Sequence, residues 1–354
     1  MRQFSELPLS AQTAYAQLFD ATLASELSRS VASLRGSFAR KTVKARDYWY
    51  FQYTDLGGTL RQFYVGPDSE HVRHLVTEAK KRGSEPLLPL ARSAVALACA
   101  PLLPRHFRAI RRLAEYGFFR AGGLLIGTHA FLTYGNILGV RWGESSRTQD
   151  IDLAHAGKNL AVALPSNLQV DTHAAIDSLQ LGLLPIGGLS GSSGATYLNP
   201  RDPEFRLDFL TTLHRGKEAP YEHPQLRITL QPLKFMEYLL ENVGQAAVFC
   251  DEGSVIVNIP HPARYALHKL LVFGERKGSF LQKSRKDLLQ AQALLVNLRA
   301  TRAWEVEEYW ADLVSRGAGW TRRAKQGLNA LAQISPEFEI KDWLRLPKKK
   351  VADA

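Results

Sequence analysis

Asp150 and Asp152 stand two residues apart in Thr148-Gln149-Asp150-Ile151-Asp152-Leu153. A strand places side chains i and i+2 on one face, so the two carboxylates point the same way while Ile151 and Leu153 enter a core. Adjacent carboxylates repel and raise each other's pKa unless a cation lies between them. A donor set made only of hard oxygens suits Mg2+ or Mn2+ and not zinc. By itself an Asp-x-Asp is common and equally describes a solvated strand end. Phe205-Arg206-Leu207-Asp208-Phe209 strengthens the metal reading, because its alternation sets Asp208 opposite a buried face. Beside the first strand, Asp208 supplies the third carboxylate of a two-metal clamp for phosphoryl transfer. Standing alone, it reads as a salt-bridge partner.

The segment Ala121-Gly122-Gly123-Leu124-Leu125-Ile126-Gly127-Thr128-His129-Ala130 reads as a short apolar strand that turns at glycine into a helix. Glycine lets a phosphate approach the backbone, and a helix N-terminus offers free N–H groups at the positive end of its dipole. The Thr128 hydroxyl adds a donor to such a turn; in the plainer reading it caps the helix. His129 reads as a packed histidine. Downstream, Arg276, Lys277, Lys283, Arg285 and Lys286 make a basic segment that suits a triphosphate or an RNA acceptor, and equally a charged helix face. Asp287 pairs with a neighbouring lysine or caps its helix. Arg147 and Thr148 are adjacent candidates for substrate contact.

Taken in order, Gly127-Thr128-His129-Ala130, Thr148-Gln149-Asp150-Ile151-Asp152-Leu153 and Leu207-Asp208-Phe209 resemble the DNA polymerase β-type nucleotidyltransferase superfamily. Within it the sequence resembles an uncharacterised bacterial nucleotidyltransferase-like family and, more distantly, nucleotidyltransferase toxins of abortive-infection systems. Trp49-Tyr50-Phe51, Gly66-Pro67-Asp68 and Pro262-Ala263-Arg264-Tyr265-Ala266-Leu267-His268-Lys269-Leu270 also resemble that bacterial family, so the likeness touches most of residues 45–295. It implies a small mixed sheet with flanking helices and carboxylate-bound Mg2+ (or Mn2+). It also implies transfer of a nucleoside monophosphate from an NTP to an acceptor hydroxyl, with pyrophosphate leaving. By position, Asp150 and Asp152 match the paired metal carboxylates, and Asp208 matches the third, which also helps to activate the acceptor. Gly127 and Thr128 match the phosphate-binding turn. Lys269 matches a lysine that reaches the triphosphate, with a solvated helix-face lysine as the alternative. The sequence departs from the superfamily pattern in having Gly-Thr where Gly-Gly or Gly-Ser is usual, and in the 23-residue step from Gly127 to Asp150. The toxin likeness leaves an antitoxin partner open.

The elements that must position these groups follow from periodicity. Ala14, Leu18, Leu23, Leu27, Val31 and Leu34 mark one or two helices over 10–37. Asp47–Tyr53 and Thr59–Val65 flank the turn cluster Asp55-Leu56-Gly57-Gly58 and predict a β-hairpin, with a helix over about 69–82 behind it. Half of the aromatics among Tyr48, Trp49, Tyr50, Phe51 and Tyr53 face away from so small a hairpin. Packing on another domain is the first expectation for them and base stacking the second. Helices are expected at Leu103–Tyr116, about 171–180, 233–242, Pro262–Phe273, Phe280–Leu298, Trp304–Ser315 and Thr321–Gln333, and strands at 150–154, Phe205–Thr211 and Ile228–Gln231. A second hairpin joins Gln245–Cys250 to Ser254–Ile259. Trp142–Gln149 and Gly187–Gly194 read as turn-rich, and Pro347-Lys348-Lys349-Lys350 as a basic tail. The class is α+β. It divides into an N-terminal helical and hairpin module (1–104), a nucleotidyltransferase core (105–232), a mainly helical C-terminal region (233–345) and a tail (346–354).

Composition narrows the setting. A chain of 354 residues with 45% hydrophobic and 22% charged residues is globular, not fibrous or disordered. Its net charge of +11 favours polyanionic partners. Cys99 and Cys250 are too few for a disulfide framework or a thiolate zinc site and read as buried thiols. The longest apolar run, Ser93–Pro104, falls short of a membrane span, and the N-terminus lacks the apolar centre of a signal peptide. A cytoplasmic enzyme without a membrane partner is expected. RNA is the first candidate acceptor and a small hydroxylated molecule or a protein the second. A non-catalytic nucleotide- or RNA-binding protein on the same fold is the reading from another class.

Overall fold

The computed structural model describes residues 4–32, 36–43, 45–54, 60–80, 87–143, 148–156, 170–186, 194–213, 218–275 and 281–345. The chain opens with β1 (Phe4–Glu6) and the long helix α1 (Leu9–Ala32), then β2 (Gly36–Val43), β3 (Arg46–Thr54), β4 (Leu60–Pro67), α2 (Glu70–Lys80) and α3 (Leu87–Ala96). Next come α4 (Pro104–Glu115), β5 (Gly123–Leu125), α5 (Gly127–Ile137), β6 (Val140–Trp142) and β7 (Asp150–His155). They are followed by α6 (Thr172–Asp177), β8 (Leu184–Pro185), β9 (Thr196–Asn199), β10 (Asp202–Thr212), β11 (Tyr221–His223) and β12 (Ile228–Leu233). The last third holds α7 (Met236–Leu239), the hairpin β13 (Val243–Cys250) and β14 (Gly253–Pro260), and the helices α8 (Pro262–Glu275), α9 (Leu281–Ser315), α10 (Ala318–Ile334) and α11 (Ile340–Trp343).

A seven-stranded mixed sheet runs β11-β12-β10-β7-β5, with β9 also on β10 and β8 on β9. β10 is its organising strand. One edge pairs in parallel with β7, and the other is shared in succession by β9, antiparallel, and β12, parallel. Alternation explains why β7 and β10 lie inside the sheet. Ile151, Leu153, Phe205, Leu207 and Phe209 are buried, and the residues between them are half-buried. Full burial of Ile151 and Leu153 contributes roughly 1.5–3 kcal/mol each. Their face joins one core with Phe107 and Leu113 of α4, Tyr134 of α5, Tyr265 and Leu270 of α8 and Leu294 of α9. Helices α8 and α9 thus share one continuous core with the sheet that carries the carboxylates.

A second, smaller core joins Leu7, Tyr15 and Leu18 to Ala91 of α3 and to Phe249 and Ile256 of the β13–β14 hairpin. The Tyr15 hydroxyl donates to the Ala247 carbonyl at 3.1 Å. The N-terminal segments thus share this packing with a hairpin more than 140 residues further along the chain.

Four local expectations change. The helix over 10–37 ends at Ala32, and Gly36–Val43 is a strand, so the expected hairpin is a three-stranded antiparallel sheet in the order β2-β3-β4. Phe38, Thr42 and Val43 suit a pleated surface, and Val43 is paired with Arg46 across the turn. The helix expected over 233–242 shrinks to Met236–Leu239, because Phe235 and Asn242 are left-handed (φ 67° and 53°) and Leu233 still belongs to β12. Leu87–Ala96, given no helix by its pattern, is α3, which buries Ala91 and Ala94. The helices expected at Phe280–Leu298 and Trp304–Ser315 meet in one rod broken at Arg302 (φ −150°, ψ 48°). The Asp55–Gly58 turn, Arg147, Arg276, Lys277, most of Gly187–Gly194 and the 346–354 tail lie outside the described residues. Cys99 and Cys250 are buried free thiols. No described helix is long and apolar enough to cross a membrane.

Candidate active site

Parallel pairing of β7 with β10 sets Asp208 directly across from Asp152, and Arg206 directly across from Asp150. The sequence alternation places all four side chains on the face opposite the core. One oxygen from each of Asp150, Asp152 and Asp208 lies within 4.8 Å of the others, and all three residues are half-buried. Among the described residues this is the one cluster of three or more acidic, histidine or cysteine groups of that closeness. Oxygen donors alone, partly shielded and clustered, fit a divalent Mg2+ or Mn2+ ion.

Neighbours fix the carboxylates. Thr196 of β9, paired with Asp208, donates its hydroxyl to Asp208 Oδ1 at 2.6 Å. The Thr148 hydroxyl donates to Asp150. Arg206 spans two of the acids: its Nε donates to Asp208 Oδ2 at 2.9 Å and its Nη2 to Asp150 Oδ2 at 3.2 Å. Burial pulls the Arg206 guanidinium down, but the Asp208 and Asp150 charges outweigh it and hold its pKa above the ordinary arginine value.

The glycine turn meets the acids from the side. Ile126 N–H donates to the Asp152 carbonyl at 3.0 Å, which ties the end of β5 to β7. Gly127 opens α5 with φ 62°, and a Cβ built there would stand 1.9 Å from Asp152 Oδ2. Glycine is thus required twice, by its left-handed backbone and by the close carboxylate. Behind the turn, the Tyr265 hydroxyl donates to the Gly127 carbonyl at 2.8 Å and lies 3.0 Å from Gln290 Oε1. Thr128 is buried, and its hydroxyl accepts from Gln290 Nε2 at 3.4 Å.

The structure separates the two lysines of this region. Lys269 donates to Asp287 Oδ1 at 2.5 Å, with side-chain exposures of 14% and 8%, and its ammonium lies 5.0 Å from the Tyr265 ring centre. Removing one partner from a buried pair of this kind costs roughly 3–5 kcal/mol, so Lys269 supports the helix pair α8–α9. Lys286, one residue before Asp287, lies in the field of Asp150 and Asp152. Burial lowers its pKa, and both acids oppose that shift.

Beneath the acids, His129 Nε2 lies 3.0 Å from His106 Nδ1, and the His106 ring stacks on Phe205. Burial, with Arg105 adding to it, holds His106 down at about 4. Burial, with His106 adding to it, holds His129 down at about 3, so the pair is neutral and packed. Arg105 reaches Asp202 at 2.6 Å and also hydrogen-bonds Gln149 at the mouth of β7. A separate cleft of about 550 Å3 lies among α1, the end of α5 and the break in α9, lined by Gln12, Tyr15, Asn136, Gln245, Asn297 and Arg302 and by none of the three acids.

Of the residues picked from the sequence, Asp150, Asp152, Asp208 and Gly127 come together. Thr128 turns its hydroxyl toward Gln290, and Lys269 is held by Asp287. Arg206 bridges Asp150 and Asp208, and Lys286 lies in the field of Asp150 and Asp152, neither of which the sequence had assigned to them. Arg206 was readable from its place two residues before Asp208 on an alternating strand. Lys286 was visible only as one cation in a basic run.

A family model described as Nucleotidyltransferase matches residues 105–315, more than half of the chain. The chain belongs to that nucleotidyltransferase family. The match begins in α4 and ends in α9, so it includes the acids, the glycine turn and both lysines. A solved structure, an antigenic nucleotidyltransferase-like protein from Paracoccidioides brasiliensis, is similar at 14% identity over 64% of this chain and 95% of that chain, with a TM-score of 0.31. No curated protein matches the chain.

Proposed function

We propose that the chain is a metal-dependent nucleotidyltransferase that moves a nucleoside monophosphate from an NTP to an acceptor hydroxyl, with RNA as the acceptor. The observation that carries this reading is the cluster of Asp150, Asp152 and Asp208 within 4.8 Å, in a chain of this family. A binder that merely kept the fold has no use for three half-buried acids so close together.

Asp150, Asp152 and Asp208 would hold the Mg2+ or Mn2+. When bound, the metal would lower the acceptor's pKa and offset charge on the triphosphate. Asp208, on the β9 side of the cluster and oriented by Thr196, is the acid assigned to the acceptor. The backbone N–H groups that open α5 at Gly127 face the anionic end of the NTP, and the bare Gly127 Cα lets Asp152 lie against the turn. Lys286, which lies in the field of Asp150 and Asp152, supplies a cation from the α9 side, and the Lys269–Asp287 pair holds that helix in place. The family's reaction requires attack on the α-phosphorus and departure of pyrophosphate, so these residues contribute by positioning and charge placement.

Arg206 shares oxygens with any cation held by Asp150 and Asp208. Arg206→Met removes that competitor with little change of length. Mn2+ should bind the variant about tenfold more tightly than wild type in calorimetry without nucleotide. Equal or weaker binding would count against a metal site at these oxygens.

Incubation with each α-labelled NTP, Mg2+ and a total RNA and protein extract tests the function. Label on RNA, lost in Asp208→Asn, is the expected result. Label confined to a protein or a small hydroxylated compound would overturn the RNA assignment, and no label on any acceptor would overturn the transferase reading.

A further inference from the structure

The sheet β2-β3-β4 has two chemically different faces. Register and alternation set Lys41 across from Tyr48, Val43 across from Arg46, Gln52 across from Gln62 and Tyr50 across from Tyr64. These residues share one face. The rings confirm it: Tyr64 lies 6.0 Å from Tyr48 and 5.7 Å from Tyr50, centre to centre. Lys41 Nζ stands 5.6 Å from the Tyr50 ring centre and donates to Gln62 Oε1 at 2.5 Å. Tyr64 is 52% exposed and Val43 46%, and Arg46 is exposed.

The opposite face carries Phe38, Arg40, Thr42, Asp47, Trp49 and Phe51. Phe51 is buried with Phe38 against it, and Trp49 Nε1 donates to Asp68 at 2.8 Å. Val72 of α2 packs at Gly66, which pairs with Trp49, so α2 covers this side. The acids Asp47 and Asp68 are spent there on Arg40 and Trp49. Among the described residues the tyrosine face holds two cations, two amides and three aromatic rings, and no carboxylate.

Three tyrosines on one side of a small sheet are more aromatic surface than its own core uses, since that core lies on the other side. One exposed ring beside two half-buried ones, flanked by cations and amides, matches single-stranded nucleic acid. Bases stack on the rings, backbone phosphates meet the cations, and amides bond base edges. We propose that the Tyr48, Tyr50, Tyr64 and Lys41 face binds single-stranded RNA and holds the acceptor strand. The RNA-acceptor reading gives this face its purpose, but its binding is measurable without transfer. The absence of acids and the +11 charge of the chain argue for a polyanion over a protein partner.

The test is fluorescence anisotropy of a labelled single-stranded oligoribonucleotide with the full chain, without NTP or metal. Tyr64→Ala should weaken binding about tenfold, and Tyr64→Phe should retain wild-type affinity, because stacking needs the ring and not the hydroxyl. Lys41→Gln should lower the salt dependence by about one phosphate contact. The same oligonucleotide annealed to its complement should bind more weakly, since its bases are no longer free. Tyr64 is exposed, so its truncation leaves the fold intact; should Tyr64→Ala melt early, Lys41→Gln and the duplex comparison carry the test. Equal affinity of wild type and Tyr64→Ala for the single strand, equal affinity for duplex, or no RNA binding by wild type would each overturn the proposal. If wild type binds RNA in this assay but transfers no nucleotide, the transferase reading fails and this one stands.

Discussion

Asp150→Asn is expected to lower nucleotidyl transfer about a thousandfold or more, with a melting temperature close to that of wild type. Asparagine keeps the volume but only one acceptor oxygen; with that oxygen toward Arg206, its amide nitrogen faces the Thr148 hydroxyl and can donate to it, so both neighbours keep a partner. What disappears is the negative charge, and with it the ability to hold a divalent ion beside Asp152 and Asp208. A rival account makes Asp150 only the partner of Arg206. That ion pair is partly open to solvent, with side-chain exposures of 34% and 22%, and such a pair contributes little to stability. Under the rival account Asp150→Asn would leave transfer largely unchanged. Steady-state rates and thermal melts on the same preparation separate the two accounts, and retention of more than about a tenth of the activity would contradict ours.

Gly127→Ala should damage both stability and activity. At φ 62° an L-residue costs roughly 1–2 kcal/mol of backbone energy. The new Cβ would also stand 1.9 Å from Asp152 Oδ2, a distance no pair of non-bonded atoms tolerates, so the carboxylate must move. Misplacing a reacting group by about an ångström costs on the order of a hundredfold in rate. Transfer should therefore fall by about that factor or more, and the melting temperature should drop. Gly244→Ala is the control, since its Cβ meets open space, and it should leave both quantities unchanged. If Gly127→Ala behaves like Gly244→Ala, the glycine turn is not part of the site.

The acids were readable before any coordinates because a strand's period of two converts spacing directly into direction. Asp150 and Asp152 must share a face, and Phe205, Leu207 and Phe209 force Asp208 onto the opposite face from the core. The pairing of β7 with β10 was not readable, since nothing in either segment states its neighbour. Arg206 shares the alternation that exposed Asp208, yet a search for metal ligands passes over a cation. The lysines mislead for a related reason. Lys269 stands on an amphipathic helix near the right motif, but only three-dimensional packing shows that Asp287 occupies it and that Lys286 lies in the field of the acids.

Backbone strain hid other parts of the fold. The pattern after residue 233 is helical, but the left-handed residues Phe235 and Asn242 limit α7 to one turn. β2 opens at Gly36, the breaker at which the long helical pattern gives way, and its strand character emerges from pairing with β3. That pairing also separates the tyrosine face from the acidic one, a division invisible while the segment is read as a two-stranded hairpin.

The most direct test of the central claim compares two labels on one substrate. The full chain is incubated with Mg2+ and total RNA and protein extract, once with NTP labelled at the α-phosphate and once with NTP labelled at the γ-phosphate. Three carboxylates serving attack at the α-phosphorus predict label on an acceptor from the α-position alone, with γ-label recovered as pyrophosphate, and loss of both signals in Asp208→Asn. Acceptor label from the γ-position, or α-label that persists in Asp208→Asn, would contradict a nucleotidyltransferase centred on Asp150, Asp152 and Asp208.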